Sequence, residues 1–210
     1  DRHVVVTGGT GALGAATVGA LIEAGAICHV PYISTAEADR FTYRDHAQVR
    51  LLGDIELTQE AAVAKLYDGV PKLWASIHIA GGFAMAPVSK TTNSDLMKQI
   101  EINYVTAFLC CRASVNSMTS TGAGGRIVNV AARPALEWRS GAGMTAYAIS
   151  KSGVAALTVA LALRRPVRAD CCSLAWASRR RTPSSPRFAT PSCCTTNPVC
   201  RKRRGSSPGS

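Results

Sequence analysis

The sequence lacks the patterns that would place it in several large classes of protein. No stretch reaches the run of about 18 apolar residues that a membrane span requires, and no signal peptide is visible. The eight cysteines include no C-x-x-C pair, so no metal site is expected. Aromatic residues make up only 6% of the chain, which leaves its basic residues without the aromatic neighbours of a nucleic-acid surface. We therefore expect a protein that binds no metal or membrane and is unlikely to bind nucleic acid. Cys28, Cys110 and Cys111 fall on predicted strands or helices as buried thiols, which predicts a reducing, cytoplasmic location.

Excess positive charge is confined to one end of the chain. The formal net charge is +11, yet residues 1–163 hold 13 Lys and Arg against 12 Asp and Glu. Residues 164–210 hold 11 Lys and Arg, one acid, five of the eight cysteines and six of the ten prolines. A segment of this composition cannot bury a core and is expected to be disordered and to form no strand. We predict a folded domain over 1–163 and a basic tail over 164–210.

The change in composition is abrupt and falls inside a predicted helix, at residues 162–166. One hypothesis is that 164–210 is an out-of-frame translation, because GC-rich codons read in a shifted frame give Arg, Pro, Ser and Cys. A genuine alternative C-terminus and an evolved basic tail are the alternatives. The basic run at 201–204 is typical of a localisation or nucleic-acid patch, although such runs are more often simply solvated.

Strand-like and helix-like patterns alternate along residues 1–163. Apolar and β-branched runs predict strands at 4–6, 27–32, 49–52, 73–79 and 126–130. Helices are predicted at 12–24, 59–67, about 93–118 and 145–163, whereas 34–47 is too polar and broken for one. This order is typical of parallel strands joined by right-handed crossovers. We therefore predict an α/β fold, a Rossmann-like doubly wound parallel sheet that stops after the fifth strand and the helix at 145–163.

A glycine-rich loop joins the first predicted strand to the first predicted helix. It runs from Thr7 to Gly14 and contains the pattern Gly9-x-Gly11-x-x-Gly14. Glycines permit the tight turn there and let backbone N–H groups approach a pyrophosphate at the helix N-terminus. A flexible turn is the alternative for the bare motif, but the strand before it and the helix after it favour dinucleotide binding.

A second pattern, Tyr147-Ala-Ile-Ser-Lys151, lies on the last predicted helix. Residues four apart project from the same helix face. An ammonium in that position favours the phenolate, so we expect Lys151 to lower the pKa of Tyr147 toward a range useful for proton transfer.

Together these features resemble the short-chain dehydrogenase/reductase family of NAD(P)-dependent enzymes over residues 3–162. The loop, the turns at 53–55 and 79–82, the helix asparagine and the strand at 125–130 follow in the family's order. The resemblance implies the catalytic residues Tyr147, Lys151 and Asn103. It also implies cofactor contacts from Thr7, Gly8, Gly9, Gly11, Leu13, Gly14, Asp54, Ala80, Gly81, Tyr147 and Lys151.

The resemblance implies an oxidoreductase that transfers hydride between a nicotinamide and a carbonyl, imine or hydroxyl carbon of a small-molecule substrate. Tyr147 would then be the general acid/base, Lys151 would hold the nicotinamide ribose, and Asn103 would position a water for proton relay. A catalytically inactive cofactor-binding protein is the alternative. Family members are usually homo-oligomers, a property we do not extend to this chain because its C-terminus departs from theirs.

The main departure within the domain is the catalytic serine. The family pattern expects Ser-Ser after Val130, where this chain has Ala131 and Ala132. Ser140 and Thr145 are two candidates for a replacement hydroxyl. Dihydropteridine-reductase-like members also lack the serine and have a similar approach to the tyrosine, as in 143–147 here, and they are the local likeness within the family.

Several of these residues also have ordinary structural interpretations. Asn103 is either a functional residue or a polar helix residue, and Asp54 either contacts adenine or caps a helix. His78 is interpreted as a core histidine at a strand end, and Cys110 with Cys111 as helix packing.

Cofactor choice stays open between NAD and NADP. An acid at the end of the second strand binds the ribose diol of NAD, and an Arg there accepts the NADP phosphate. That strand ends at 30–35 with neither, and Gly11 lies where many NADP-dependent relatives have a basic residue.

Overall fold

The computed structural model describes residues 2–122, 124–162 and 167–174. Its strands are β1 (Arg2–Thr7), β2 (Ala26–Pro31), β3 (Val49–Leu52), β4 (Leu73–His78), β5 (Gly125–Ala132) and β6 (Val167–Leu174). Its helices are α1 (Ala12–Glu23), α2 (Thr35–Asp39), α3 (Glu60–Asp68), α4 (Asn93–Gln99), α5 (Thr106–Ser120), α6 (Arg133–Leu136) and α7 (Thr145–Ala162). Short 3₁₀ turns lie at Val88–Lys90 and Trp138–Gly141.

The strands form one parallel sheet in the order β3-β2-β1-β4-β5-β6. The order reverses at β1, whose neighbours are β2 on one side and β4 on the other. The predicted Rossmann-like doubly wound sheet is confirmed. In such sheets a crevice opens beyond the carboxyl ends of the strands where the order reverses. The loops after β1 and β4 lie at that point.

The prediction that no strand follows residue 163 was wrong. Strand β6 pairs in parallel with β5 over its full length, from Val167 beside Gly125 to Leu174 beside Ala132. Residues 167–171 alternate apolar and polar side chains, a strand pattern that the basic composition of the surrounding segment obscures, and the open edge of β5 offers this segment backbone partners. The rest of the predicted tail, including the basic run at 201–204, lies outside the described residues.

Alternating side chains of the strands divide the core between the two sheet faces. Val5 and Leu73 pack with residues of α3 and α5 on one face. Val4, Val6 and Val30 pack with α1 residues on the other. The strand period of two residues therefore produces two separate apolar clusters from one continuous valine run.

A buried polar chain crosses the first of these clusters and includes the core histidine expected at the end of β4. Tyr67 Oη contacts Ser76 Oγ at 2.7 Å, and Ser76 Oγ lies 2.8 Å from His78 Nε2. His78 Nδ1 lies 2.7 Å from Asn129 Oδ1, and Asn129 Nδ2 donates to Thr158 Oγ1 at 2.9 Å. Because the Asn129 oxygen only accepts, His78 donates from Nδ1 and accepts at Nε2. Burial lowers the pKa of His78 to about 4, so it is neutral.

The long helix predicted at about 93–118 is α4 and α5 joined by a π-helical segment, Ile100–Val105. A capping box begins it, with the Thr92 side chain accepting from the Asp95 N–H and the Asp95 side chain accepting from the Thr92 N–H. Single π-helical turns within α-helices occur frequently at functional sites. Asn103 lies inside this one.

One helix of the described residues, Thr145–Ala162, is long and apolar enough to cross a membrane by length and composition. One face of this helix packs in the core, while Ile149 and Val159 are each 51% exposed. Val154 and Thr158 are 1% and 2% exposed, and Thr158 accepts a hydrogen bond from Asn129 of β5.

Candidate functional site

The loop after β1 is shaped by glycine at the positions where a side chain has no room. Gly8 has φ +68°, in the left-handed region that favours glycine. A Cβ at Gly14 would lie 2.5 Å from Gly9 Cα and closer still to the Gly8 carbonyl oxygen. The first turn of α1 therefore packs directly on the loop backbone.

The amino end of α1 faces this loop without a capping side chain. Gly11 is the N-cap, in extended backbone with φ −77° and ψ 169°, and its N–H donates to the Gly8 carbonyl at 3.2 Å. The first-turn N–H groups, which include those of Leu13 and Gly14, have no intrahelical acceptor. With the positive end of the helix dipole, they suit an anionic group such as a pyrophosphate. The residues present therefore fit a dinucleotide.

Thr7 joins the end of β1 to the end of β4. Its side chain is 1% exposed, and its Oγ1 accepts from the Ala80 N–H at 3.4 Å. The Thr7 carbonyl accepts from the Ile79 N–H at 3.1 Å. A Cβ at Gly8 would lie 2.7 Å from the Ala80 nitrogen, so the two loops are in direct contact. The predicted cofactor residues Thr7, Gly8 and Ala80 are thus brought together.

Asn103 is buried and fastens the turn after β4 to the π-helical segment. It is 1% exposed; its Oδ1 accepts from the Gly82 N–H at 3.1 Å, and its Nδ2 donates to the Gly82 carbonyl at 3.0 Å. A second acceptor, the Gln99 carbonyl, lies 3.2 Å from Nδ2. The side chain therefore fixes the backbone position of this turn. Asn103 is not an ordinary surface residue of the helix.

Lys151 approaches the same turn from α7. Its side chain is 6% exposed, and its Nζ donates to the Val130 carbonyl on β5 at 2.9 Å. A Cβ at Gly81 would lie 3.5 Å from Lys151 Nζ and would collide with Asn103 Oδ1. Only a glycine therefore fits between them. The structure brings Lys151, Asn103 and Gly81, predicted from separate motifs, into one cluster.

Tyr147 lies one turn before Lys151 on α7 and is half-buried. The Phe83 ring meets it edge-on, with ring centroids 4.9 Å apart. Burial raises the pKa of Tyr147, the opposite of the predicted lowering by Lys151. Removing a phenolate from water disfavours it, and here that effect determines the direction. Tyr147 is therefore a phenol at neutral pH.

One predicted cofactor residue, Asp54, lies apart from this cluster. Asp54 follows β3 at the far side of the sheet, is exposed, and has φ +58°. It is not a helix N-cap, because α3 begins at Glu60 with Gln59 as its N-cap.

The positions of the missing serine are buried alanines at the end of β5, with Ala131 3% and Ala132 7% exposed. Of the two candidate replacements, Ser140 donates its hydroxyl to the Glu137 carbonyl at 2.7 Å. Thr145 begins α7 and lines an open cleft of about 540 Å³ with Trp138 and Ile149; Tyr147, Lys151 and Asn103 are not among the residues lining it. These contacts place neither hydroxyl beside Lys151, Asn103 or Gly81.

One contact of the glycine loop was not predicted from the sequence. Thr10 Oγ1 donates to Glu37 Oε2 at 3.3 Å, and Glu37 lies on α2, in the segment judged too broken for a helix. A weak signal for it existed, because an acid about 20 residues beyond the glycine motif is a feature of dinucleotide sites.

The glycine loop, the uncapped amino end of α1 and the cluster of Lys151, Asn103 and Gly81 lie on the α/β fold that the sequence predicts, and Tyr147 lies one helical turn from Lys151. Residues 2–168 match the family model described as "short chain dehydrogenase". The chain belongs to this family.

Named relatives agree with this family. The chain is 29% identical over 169 residues to "(2S)-[(R)-hydroxy(phenyl)methyl]succinyl-CoA dehydrogenase subunit BbsD" of Thauera aromatica, covering 78% of this chain and 66% of the relative. It is 33% identical to "Galactitol 2-dehydrogenase" of Rhizobium johnstonii, covering 77% and 65%. The chain thus spans less than two thirds of these relatives' length. A crystal structure of an oxidoreductase of the same family from Burkholderia thailandensis shares the fold, with TM-score 0.73, 23% identity and coverage of 81% and 67%.

Proposed function

We propose that this chain carries the cofactor site and proton-transfer residues of an NAD(P)-dependent oxidoreductase. The reaction is hydride transfer between a nicotinamide and a carbonyl, imine or hydroxyl carbon of a small molecule. One observation carries the proposal: Lys151 and Asn103 converge on Gly81 beside the glycine loop, at the end of the sheet where the strand order reverses. The relatives' names, all dehydrogenases or oxidoreductases, favour an enzyme over an inactive binding protein.

Each residue of the cluster has a distinct role in this proposal. Tyr147, held as a phenol by burial, donates a proton to the carbonyl oxygen during reduction. Lys151, anchored on Val130, holds the nicotinamide ribose. Asn103 fixes the turn at Gly82 and positions a water for proton relay. The bound nicotinamide supplies or accepts the hydride.

The cofactor residues divide into three groups along the strand ends. Gly8, Gly9, Gly11, Leu13 and Gly14 hold the pyrophosphate through backbone N–H groups and close packing. Thr7, Ala80 and Gly81 line the cofactor site between the carboxyl ends of β1 and β4. Asp54, exposed after β3, contacts the adenine. These assignments place the proposed dinucleotide contacts within residues 1–163, and β6 adds a sixth strand to the same sheet.

Two finer assignments concern the subfamily and the C-terminal part. The buried Ala131 and Ala132 at the end of β5 support a dihydropteridine-reductase-like arrangement, in which no serine assists the tyrosine. The composition of 164–210 supports a shifted reading frame. Reading the coding DNA tests the shifted frame: a single-base shift should restore family-like sequence, and failure to do so would refute the idea.

The thiols of Cys28, Cys110 and Cys111 are buried and free, which suits a cytoplasmic location.

The experiment is a titration of the chain with NADH and NADPH, followed by nicotinamide fluorescence, and then an assay of their oxidation with a panel of aldehydes and ketones. Binding with turnover is the expected result. Binding without turnover on any carbonyl would favour the inactive cofactor-binding protein. No binding of either dinucleotide by folded protein would refute the proposal.

A further inference from the structure

The segment that follows β4 presents an apolar surface to solvent. Residues 79–88, called the apolar loop below, read Ile-Ala-Gly-Gly-Phe-Ala-Met-Ala-Pro-Val and contain no charged, hydroxyl or amide side chain. Three of its large side chains are exposed, Phe83 by 59%, Met85 by 62% and Val88 by 69%. Water disfavours such surface, and a contiguous exposed apolar stretch is typical of a binding site.

The apolar loop is held in place on both sides of Phe83. On one side, the Gly82 N–H donates to Asn103 Oδ1 at 3.1 Å, and Asn103 Nδ2 donates to the Gly82 carbonyl at 3.0 Å. On the other side, Ala86 pairs with Met144, the residue directly before α7, in an isolated parallel bridge. The stretch between these anchors therefore has a defined position beside the start of α7.

Phe83 lies against the proposed proton donor. Its ring meets the Tyr147 ring edge-on, with centroids 4.9 Å apart and planes at 87°. More than half of the Phe83 side chain nevertheless stays exposed. A ligand whose carbonyl oxygen accepts from the Tyr147 hydroxyl has its flanking group within reach of this free surface. Aromatic rings pack well on such a surface, offset or edge-on.

Polar groups of a ligand would find few side-chain partners here. The apolar loop offers no side-chain donor or acceptor. Ala131 and Ala132 at the end of β5 offer none either, and the Ser140 hydroxyl already donates to the Glu137 carbonyl. A polyol or a sugar phosphate would lose hydrogen bonds to water in this position without replacing them, whereas an apolar group loses none.

We infer that Phe83 determines the substrate class: the site takes a carbonyl compound flanked by an aromatic or alicyclic group, and it discriminates against polyols, sugars and sugar phosphates. This inference rests on the proposed function. Phe83 contacts the apolar group of the substrate, and Met85 extends the same surface. The competing interpretation is that Phe83 only supports the Tyr147 ring, in which case its removal would lower turnover of every carbonyl compound alike.

The test measures how the full chain binds two ketones of opposite character, acetophenone and dihydroxyacetone, by saturation-transfer NMR with and without NADH. Wild type should bind acetophenone at least about tenfold more tightly than dihydroxyacetone. Phe83→Ala should weaken acetophenone binding by about tenfold, because it removes apolar surface that the ligand covers. Phe83→Leu keeps an apolar side chain and should retain most of the affinity.

Phe108→Ala is the matched control. It makes the same change on α5, at a partly exposed ring that lies beside Tyr104 instead of Tyr147. Both ketone affinities should be unchanged in this variant. Steady-state kinetics give a second readout: Phe83→Ala should raise KM for acetophenone and leave kcat/KM for dihydroxyacetone unchanged.

The outcomes separate this inference from the function on which it rests. Acetophenone affinity that Phe83→Ala does not change, or a wild-type preference for dihydroxyacetone, would overturn the inference while the proposed function stands. Binding of NADH without binding of either ketone would also overturn it, and would leave the apolar loop as a docking surface for a protein segment. Failure of folded wild type to bind NADH or NADPH would refute the proposed function, and the ketone titrations without cofactor would still show whether Phe83 forms the apolar surface.

Discussion

Substituting Gly14 tests how closely α1 must approach the loop. In Gly14→Ala the new Cβ would lie 2.5 Å from Gly9 Cα and 2.8 Å from the Gly8 carbonyl carbon, both backbone atoms that no rotamer change can move. Overpacking of this kind costs about 1–3 kcal/mol. Alanine recovers up to about 1 kcal/mol through its helix propensity. We therefore expect a net loss of about 0–2 kcal/mol in unfolding free energy and a displaced loop.

The displaced loop should affect the cofactor more than the fold. Gly14→Ala should weaken NADH binding at least tenfold, and Gly14→Val, with a larger β-branched side chain, should eliminate it. Thermal unfolding and NADH titration, measured together, separate the two effects. Gly11→Ala is the stability control, because its Cβ would meet only the Gly8 oxygen, at an ordinary 3.5 Å. Unchanged NADH affinity in folded Gly14→Val would show that the loop is only a turn.

Three further predictions concern the cluster and the buried histidine. Asn103→Ala should lose its hydrogen bonds to Gly82 and lower both turnover and cofactor affinity. Asn103→Asp keeps the oxygen that accepts from the Gly82 N–H and should retain more cofactor affinity. Equal losses of affinity in the two variants would contradict the positioning role. Because burial raises the pKa of Tyr147, the rate of carbonyl reduction should be constant through neutral pH and fall only above pH 10. The rate of alcohol oxidation should rise with pH. A rate of reduction that falls near pH 7 would contradict this prediction. His78 has a pKa lowered from 6.5 to about 4, so the unfolded chain binds its proton first as pH falls below 6.5. The free energy of unfolding, measured with urea, should therefore be constant above pH 6.5 and fall progressively toward pH 4, by on the order of 3 kcal/mol from this group. If His78 is protonated in the folded chain, this fall will be absent.

Local and periodic signals predicted most of the fold. The valine run, the glycine loop and the Tyr147–Lys151 pair depend on neighbours in sequence, and each lies in the element predicted for it. The convergence of Lys151 and Asn103 on Gly81 followed from the family resemblance, since no spacing in the sequence indicates it. The π-helical turn at 100–105 was missed because helical periodicity does not distinguish it from continuous α-helix.

The errors concern features that tertiary contacts create. Strand β6 forms against the open edge of β5, and its five-residue apolar alternation, from Val167 to Cys171, was overlooked because the composition of 164–210 as a whole predicts no strand. The pKa direction of Tyr147 depends on burial, which the four-residue spacing to Lys151 does not report. Glu37 was missed because its contact with Thr10 depends on α2, a short helix in a segment predicted to have none.

The most direct test of the central claim compares wild type with Tyr147→Phe in paired measurements of NAD(P)H binding and carbonyl-dependent NAD(P)H oxidation. The ring and its contact with Phe83 remain in this variant, and only the proton donor is removed. Cofactor affinity should stay within about threefold, while turnover should fall by at least the 10²–10⁴-fold that a general acid contributes. Substantial turnover in Tyr147→Phe would contradict the account.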